Sequence, residues 1–364
     1  MLKLTIINGV CKMTRQKLIL LFFAMILIVT ACSCSEKETI EQPIEEEKEE
    51  VVEQEEEETF ANKYPLTGIE TNESVDHRIV SVMVNNQVQA RPQSGLSKAD
   101  IVFEILSESN ITRFLALFHS EQPEVVGPVR SAREYYMNLA KDYEAIYVYH
   151  GAADFVNDLV KQSGVDFLNG SLYDNDGHLF KRESFRKAPH NSYLQFGAVN
   201  DVAESKGYSL TKSLDLSLPF IDEDDEIFGD NVAQVSIGYI GQNPGHVVQY
   251  KYNDQTKQYE RYEDDAQTVE LNTEEPVQVS NVFIIEADHE VIDKEGRRKI
   301  NFASGGNAYL LQKGKLQQVD WINDNGQIIP VKEGAEVGFL PGKTWINVVP
   351  TDPGLEASVN FQAN

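Results

Sequence analysis

Beyond its first 35 positions this chain has no cysteine. The three thiols among its 364 residues are Cys11, Cys32 and Cys34, so the globular part holds no disulfide framework, no cysteine nucleophile and no thiolate metal site. Positive charge is short as well. Lys and Arg number 32 against 58 Asp and Glu, a formal net charge of -26, and from Thr59 onward the count is 26 against 45. That balance argues against binding nucleic acid or an anionic bilayer through bulk charge. G-x-S-x-G, H-E-x-x-H and glycine-rich nucleotide loops are absent too, and no cofactor is expected. No repeat of fixed period runs through the chain, and Gly and Pro are not enriched enough for low complexity.

Long apolar runs are scarce. Arg15 and Lys17 precede the run Leu18 to Val29, which is too short for a comfortable membrane span and right for the apolar region of a signal peptide. Val29-Thr30-Ala31-Cys32 follows. Small residues directly before a cysteine resemble a bacterial lipobox, which implies cleavage before Cys32 and a diacylglycerol thioether on its sulfur; an ordinary signal peptide or an N-terminal anchor helix is the alternative. Residues 1–35 are therefore read as signal and acylation region. Residues 36–62 are read as a disordered acidic tether, since Glu36 to Glu58 hold thirteen glutamates against Lys37 and Lys48 and cannot bury enough surface to fold.

The composition turns globular near Tyr64. Runs at Arg78 to Val84, Asp100 to Leu106, Arg113 to Phe118 and Ala145 to Gly151 read as strands. Asp154 to Ser163, with Phe155, Val156, Leu159 and Val160 at helical spacing and Gly164 as a stop, reads as a helix. Residues 63–212 are expected to form an α/β or α+β domain with a mixed sheet. Residues 213–231, with Pro219 and the cluster Asp222 to Glu226, read as a linker. Residues 232–364, strands separated by Asn243-Pro244-Gly245, Lys313-Gly314, Asn325-Gly326 and Pro341-Gly342, read as a smaller all-β domain.

The stretch that organises the functional reading is Gly127-Pro128-Val129-Arg130-Ser131-Ala132-Arg133-Glu134. Ser131 and Glu134 stand in the S-x-x-E relation of a capping box, which predicts a helix starting there. Arg130 and Arg133 then oppose the positive end of the helix dipole and need an anionic partner, either an internal carboxylate or a bound phosphate or carboxylate. Arg91, Arg113, Arg182, Arg186, Lys187 and His190 join them as candidates, the last four from a local positive patch in an acidic chain. The rival is that the arginines neutralise Asp100, Glu104 and Glu108. His150, at a strand end, is read as a loop or core histidine. For a metal the only candidates are Asp100, Asp174 and Asp176. Asp174, Asp176, Gly177 and Glu183 fit four positions of a calcium loop, but Leu172 stands where the first ligand belongs, which favours a plain turn.

Arg91 to Val102, Thr112-Arg113-Phe114, Gly127 to Arg133 and Arg186-Lys187-Ala188-Pro189-His190-Asn191 resemble the YerB-type lipoproteins of Gram-positive bacteria. Asp288 to Asp293 and Pro341 to Ile346 resemble that family's second domain. The resemblance spans nearly all of Tyr64 to Pro350 and implies two domains classed as of unknown function. A looser similarity of layout, Ala99-Asp100, two strands, Arg130 before a helix and a strand leading to Gly151, is to the LytR-CpsA-Psr cell-wall transferases, whose proline-arginine-aspartate motif this chain does not reproduce. The expectation is a lipoprotein on the outer face of the cytoplasmic membrane of a Gram-positive bacterium, binding an anionic envelope-related ligand. An enzyme acting on a lipid-linked or wall glycopolymer phosphate, and a non-enzymatic regulator binding an envelope protein, are the alternatives.

Overall fold

Continuous apolar runs make strands that are buried on both faces. All residues of Val80–Asn85 (β1), Ile101–Leu106 (β2) and Thr112–Phe118 (β3) are buried, which is why these segments do not alternate. The computed structural model describes residues 60–362 apart from 215, 217 and 243–246. Cys32 and nearly all of the expected tether lie outside those residues. After β3 come Val125–Val126 (β4), helix Glu134–Asp142 (α1), Ile146–Tyr149 (β5), helix Asp154–Ser163 (α2), Phe167–Asn169 (β6), Phe180–Arg182 (β7), Ser192–Gln195 (β8) and helix Val199–Ser205 (α3). The second half is mostly strand: Gln234–Gln242 (β9), Val247–Asn253 (β10), Gln258–Glu263 (β11), Asn281–Ala287 (β12), Gly306–Gln312 (β13), Lys315–Asp324 (β14), Gln327–Lys332 (β15), Thr344–Pro350 (β16) and Val359–Gln362 (β17).

A twelve-stranded sheet runs through both halves, in the order β15-β14-β13-β12-β16-β2-β3-β1-β5-β6 with two short outlying strands. It is mixed. β1, β5 and β6 are parallel to one another, β16 is parallel to both β12 and β2, and the remaining pairs are antiparallel. The N-terminal part is thus α/β with a mixed sheet, and the C-terminal part is antiparallel apart from β16. On one face α1 and α2 pack Tyr136, Leu139, Val156 and Val160 toward Met83, Phe103 and Leu115. On the other face lies a six-stranded sheet containing β11-β10-β9-β17, where Val235, Ile237 and Tyr250 share a core with Val82, Val102, Phe114 and Trp345. The hairpin from β14 to β15 turns on Asn325 and Gly326, both at positive φ (49° and 98°), as a two-residue turn between strands requires.

The expected capping box does not form. α1 begins at Glu134 with Arg133 as its N-cap and no side-chain cap, because tertiary pairing holds the preceding residues extended. The Arg130 N–H donates to the Met83 carbonyl (2.9 Å), Val129 N–H to Ser192 (2.7 Å) and Ala132 N–H to Gly151 (3.0 Å). Backbone ladder bonds on both sides leave Ser131 no freedom to take the cap geometry.

Candidate functional site

Because β1, β5 and β6 are parallel, their carboxyl ends line up. Asn85 and Asn86 close β1, His150 follows β5, and Asn169 closes β6. In open α/β sheets ligands bind outside the carboxyl ends of the strands. The chain 127–130 is laid across this edge: Asn85 N–H donates to the Pro128 carbonyl (2.9 Å) and His150 N–H to the Arg130 carbonyl (2.9 Å). Arg130 is therefore fixed by its backbone next to both Asn85 and His150.

The Arg130 side chain is largely buried, and its Nε has no hydrogen-bond partner among the described residues. Burial lowers its pKa to about 10, and the positive charge of Arg113 adds to the fall. The two histidines beside it are pushed the same way. His150 is lowered by burial and, against the pull of Asp174, by Arg182 and Arg130. His190 is lowered by burial, Arg130 and Arg186. Both are therefore mostly neutral at pH 7.

Hydrogen bonds set the ring orientations. Asn85 Oδ1 accepts from the Gln87 N–H (3.1 Å), so its amide Nδ2 is the atom 2.8 Å from His190 Nδ1. A neutral His190 then accepts at Nδ1 and carries its proton on Nε2. His150 Nδ1 lies 2.6 Å from Ser192 Oγ, and its Nε2 lies 3.8 Å from Asp174 Oδ1. The result is a patch with one guanidinium, two neutral imidazoles and a primary amide, in which the charged group has no counter-ion among the described residues.

The structure divides the sequence-predicted residues sharply. Arg133 and Arg113 both reach Glu108: Arg113 Nη2 donates at 2.8 Å and Arg133 Nη2 makes a close ion pair. Arg113 Nη1 also donates to the Ser131 carbonyl (3.1 Å). These two arginines are therefore paired within the fold, and Arg130 alone of the three has no carboxylate partner among the described residues. Arg182 grips Asp174 with two nitrogens (2.6 and 3.0 Å) and donates to Asn191 Oδ1 at 2.8 Å. Arg186 ties down the 88–92 loop by donating to the carbonyls of Ala90 (2.7 Å) and Pro92 (2.6 Å). Arg91 pairs with Glu263 and Asp264. Lys187 is exposed.

The candidate metal ligands are not brought together. Asp176 Oδ1 accepts the N–H groups of His178, Leu179 and Phe180 (3.0, 3.0 and 2.9 Å), the arrangement of an Asx turn. Asp100 sits at the opposite, amino end of β2, where it accepts from the N–H groups of His119 (2.6 Å) and Ser120 (2.8 Å) and from the Ser120 hydroxyl. Burial raises its pKa to about 6 against these hydrogen bonds. The length of a strand, about 17–20 Å, separates it from Arg130.

Sequence reasoning missed a second polar centre. Arg261, fully buried on β11, donates to Glu104 Oε1 and Oε2 (3.1 and 2.9 Å), to Glu263 Oε2 (2.9 Å) and to Thr268 Oγ1 (2.7 Å). Its guanidinium also lies over the rings of Trp345 and Phe114 (4.8 and 5.2 Å). Burial alone would lower its pKa, but Glu104 and Glu263 raise it, so the charge is secure. Burial pushes the Glu104 carboxyl up, Arg261 pulls it back and Glu263 adds to the rise. Asn86 bridges Thr112 Oγ1 (2.8 Å) and Glu263 Oε1 (2.9 Å). A cavity of about 370 Å³ opens beside this network. Nothing local in the sequence marks Arg261. Asn85, Asn86 and His150 stand at the ends of runs that read as strands, a signal that marks the strand ends and not their convergence.

Among the described residues no helix is long and apolar enough to cross a membrane. Residues 66–209 match the family model described as the N-terminal domain of a protein of unknown function, DUF3048, and residues 235–346 match its C-terminal domain. YerB of Bacillus subtilis (strain 168), provisionally named a lipoprotein, is 45% identical over 289 residues, covering 79% of this chain and 86% of the relative. A crystal structure of the Bacillus subtilis YerB protein superposes with a TM-score of 0.75 at 43% identity, covering 83% of this chain and 99% of that one. These matches do not show the layout likeness to the LytR-CpsA-Psr transferases. They do show, over most of the length of both chains, that this protein belongs to the two-domain DUF3048 family of YerB-type proteins.

Proposed function

We propose that the patch around Arg130 binds an anionic group, a phosphate or carboxylate of an envelope-related ligand, and that the protein presents this site from a lipid anchor at Cys32 on the outer face of the cytoplasmic membrane. The observation that carries the reading is a largely buried guanidinium without a counter-ion among the described residues, flanked by the imidazoles of His150 and His190 and the amide of Asn85. A guanidinium in such a setting gains two or more charge-assisted hydrogen bonds from an oxyanion and loses little water in doing so. The lipoprotein naming of the relative and the lipobox pattern support the anchor.

Calorimetric titration of the purified protein with inorganic phosphate, pyrophosphate and sulfate tests the reading. Saturable binding that Arg130→Ala weakens at least tenfold supports a receptor, and turnover of a phosphoester makes the site that of an enzyme. Absence of binding by all three anions refutes the anion site and leaves a partner-binding module. Sulfate, which keeps its charge across this range, also reports the histidines. A bound anion raises the pKa of His150 and His190, so affinity should increase as pH falls from 8 to 6. A flat profile removes the histidines from the site.

A further inference from the structure

The cavity beside Arg91 is walled by Val88, Pro92, Ala266 and Val269, and its floor is charged but already paired. Glu263 accepts from Asn86 and Arg91 on one oxygen and from Arg261 on the other; Asp264 takes a second nitrogen of Arg91 at 3.0 Å. A polar ligand would have to break those bonds, whereas an alkyl chain lies on them at no such cost. The cavity is preformed. Arg186 holds the 88–92 loop through Ala90 and Pro92, and Gln93 Nε2 donates to the Asn85 carbonyl and to Asn86 Oδ1, both at 3.1 Å. Its size falls in the range of small-ligand sites, about 300–1,000 Å³.

Its position relative to the anion patch identifies the occupant. Asn85 Nδ2 reaches His190 Nδ1, while Asn86 Nδ2, on the next residue, donates to Glu263, which lines the cavity. Two adjacent residues of one strand end thus each bond to a residue of one of the two sites. Val88, 62% exposed, stands at the rim. We propose that this cavity takes the apolar tail of an amphiphilic anion whose charged end is held at Arg130, an inference that rests on the anion-site reading above.

The test compares inorganic phosphate, butyl phosphate and decyl phosphate, each titrated below its micelle concentration into the full protein. Affinity should rise by about fourfold per methylene until the cavity is filled, the factor that burying one methylene gives. Ala266→Trp, a substitution at an exposed position that fills the cavity from its wall, should erase the gain from the chain and leave the Kd for inorganic phosphate unchanged. Val88→Asp, at the exposed rim, should do the same by charge. If decyl phosphate binds no more tightly than phosphate, or if both variants keep the gain, the tail site is overturned while the anion site stands. If phosphate fails to bind but the chain-length gain is present and Ala266→Trp removes it, the cavity stands and the Arg130 reading falls. Decanoate run in parallel separates a carboxylate amphiphile from a phosphate one; a chain-dependent gain with either supports the subsite.

Discussion

Arg130 and Arg133 sit three residues apart, and truncating each to alanine should have opposite consequences. Arg133 is buried and shares Glu108 with Arg113, the side chains being 10%, 24% and 7% exposed. Removing one partner of a buried ion pair costs about 3–5 kcal/mol when the remaining charge is stranded. Here Glu108 keeps Arg113, so roughly 1.5–3 kcal/mol is expected for Arg133→Ala, a fall in Tm of roughly 3–8 °C for a unit of this size. Arg130 strands nothing. Its loss removes some packing of the side-chain stem and also the repulsion from Arg113, leaving a net change within about 1 kcal/mol. Binding should respond in reverse: Arg130→Ala should weaken phosphate by roughly 1.5–3 kcal/mol, the range for charged hydrogen bonds, or about 10- to 150-fold. Scanning calorimetry with and without saturating phosphate reads both quantities. If Arg130→Ala melts as early as Arg133→Ala, and phosphate raises the Tm of neither the wild type nor Arg133→Ala, then Arg130 is structural and the site is lost.

Three further outcomes follow from the buried polar groups and the leader. Burial lifts the Asp100 carboxyl from its ordinary 3.8 to about 6, so the folded state binds the extra proton between those values and its contribution to stability falls as pH rises through that window. Asp100→Asn keeps the acceptor for His119 and Ser120, and should raise stability at pH 7.5 by about 1–2 kcal/mol while leaving it unchanged at pH 3.5; a loss at pH 7.5 in urea unfolding would contradict this. Arg261→Met strands Glu104, while Glu263 keeps Arg91, and should cost about 3–5 kcal/mol, with Glu104→Gln in the same chain recovering part of it. Equal urea midpoints for wild type and Arg261→Met would show the network to be energetically idle. Cys32→Ser should abolish incorporation of labelled fatty acid and release the protein from membranes; labelling at wild-type level would refute the lipobox.

Much of the fold was legible, and the failures have a common cause. The helix Asp154–Ser163 was set by local signals, an apolar stripe and a glycine stop at Gly164, whose φ is 79°. The start of α1 was misplaced because Ser131 obeys a local capping rule, while Val129, Arg130 and Ala132 are held by Ser192, Met83 and Gly151, partners supplied only by the tertiary fold. The same holds for charge. The place of Arg130 and Arg133 before a helix called for anions, and Glu108 stood among the candidate carboxylates, but that it reaches Arg133 and Arg113 and not Arg130 could not be read from the sequence. The convergence of Asn85, Arg130, His150 and His190 depends on strand order, which periodicity does not encode. Arg261 was invisible for a related reason: on β11 it alternates correctly, and only the stacking of two sheets turns its inward position into a buried ion network.

The position of β16 bears on how the chain can be made and divided. β2 is flanked on one side by β3, its neighbour in sequence, and on the other by β16, in the register Ile101↔Thr344 to Ile105↔Val348. Until Thr344–Pro350 has been synthesised, the apolar strand β2 keeps an open edge, and an open edge of that kind recruits other chains. A polypeptide exported from its N-terminus and held to a membrane by that end would carry this edge until Thr344–Pro350 arrive, which makes insertion of that strand the step most exposed to aggregation. For the same reason, residues 66–209 expressed alone lack the strand that covers β2, and a stop codon before Thr344 removes it as well.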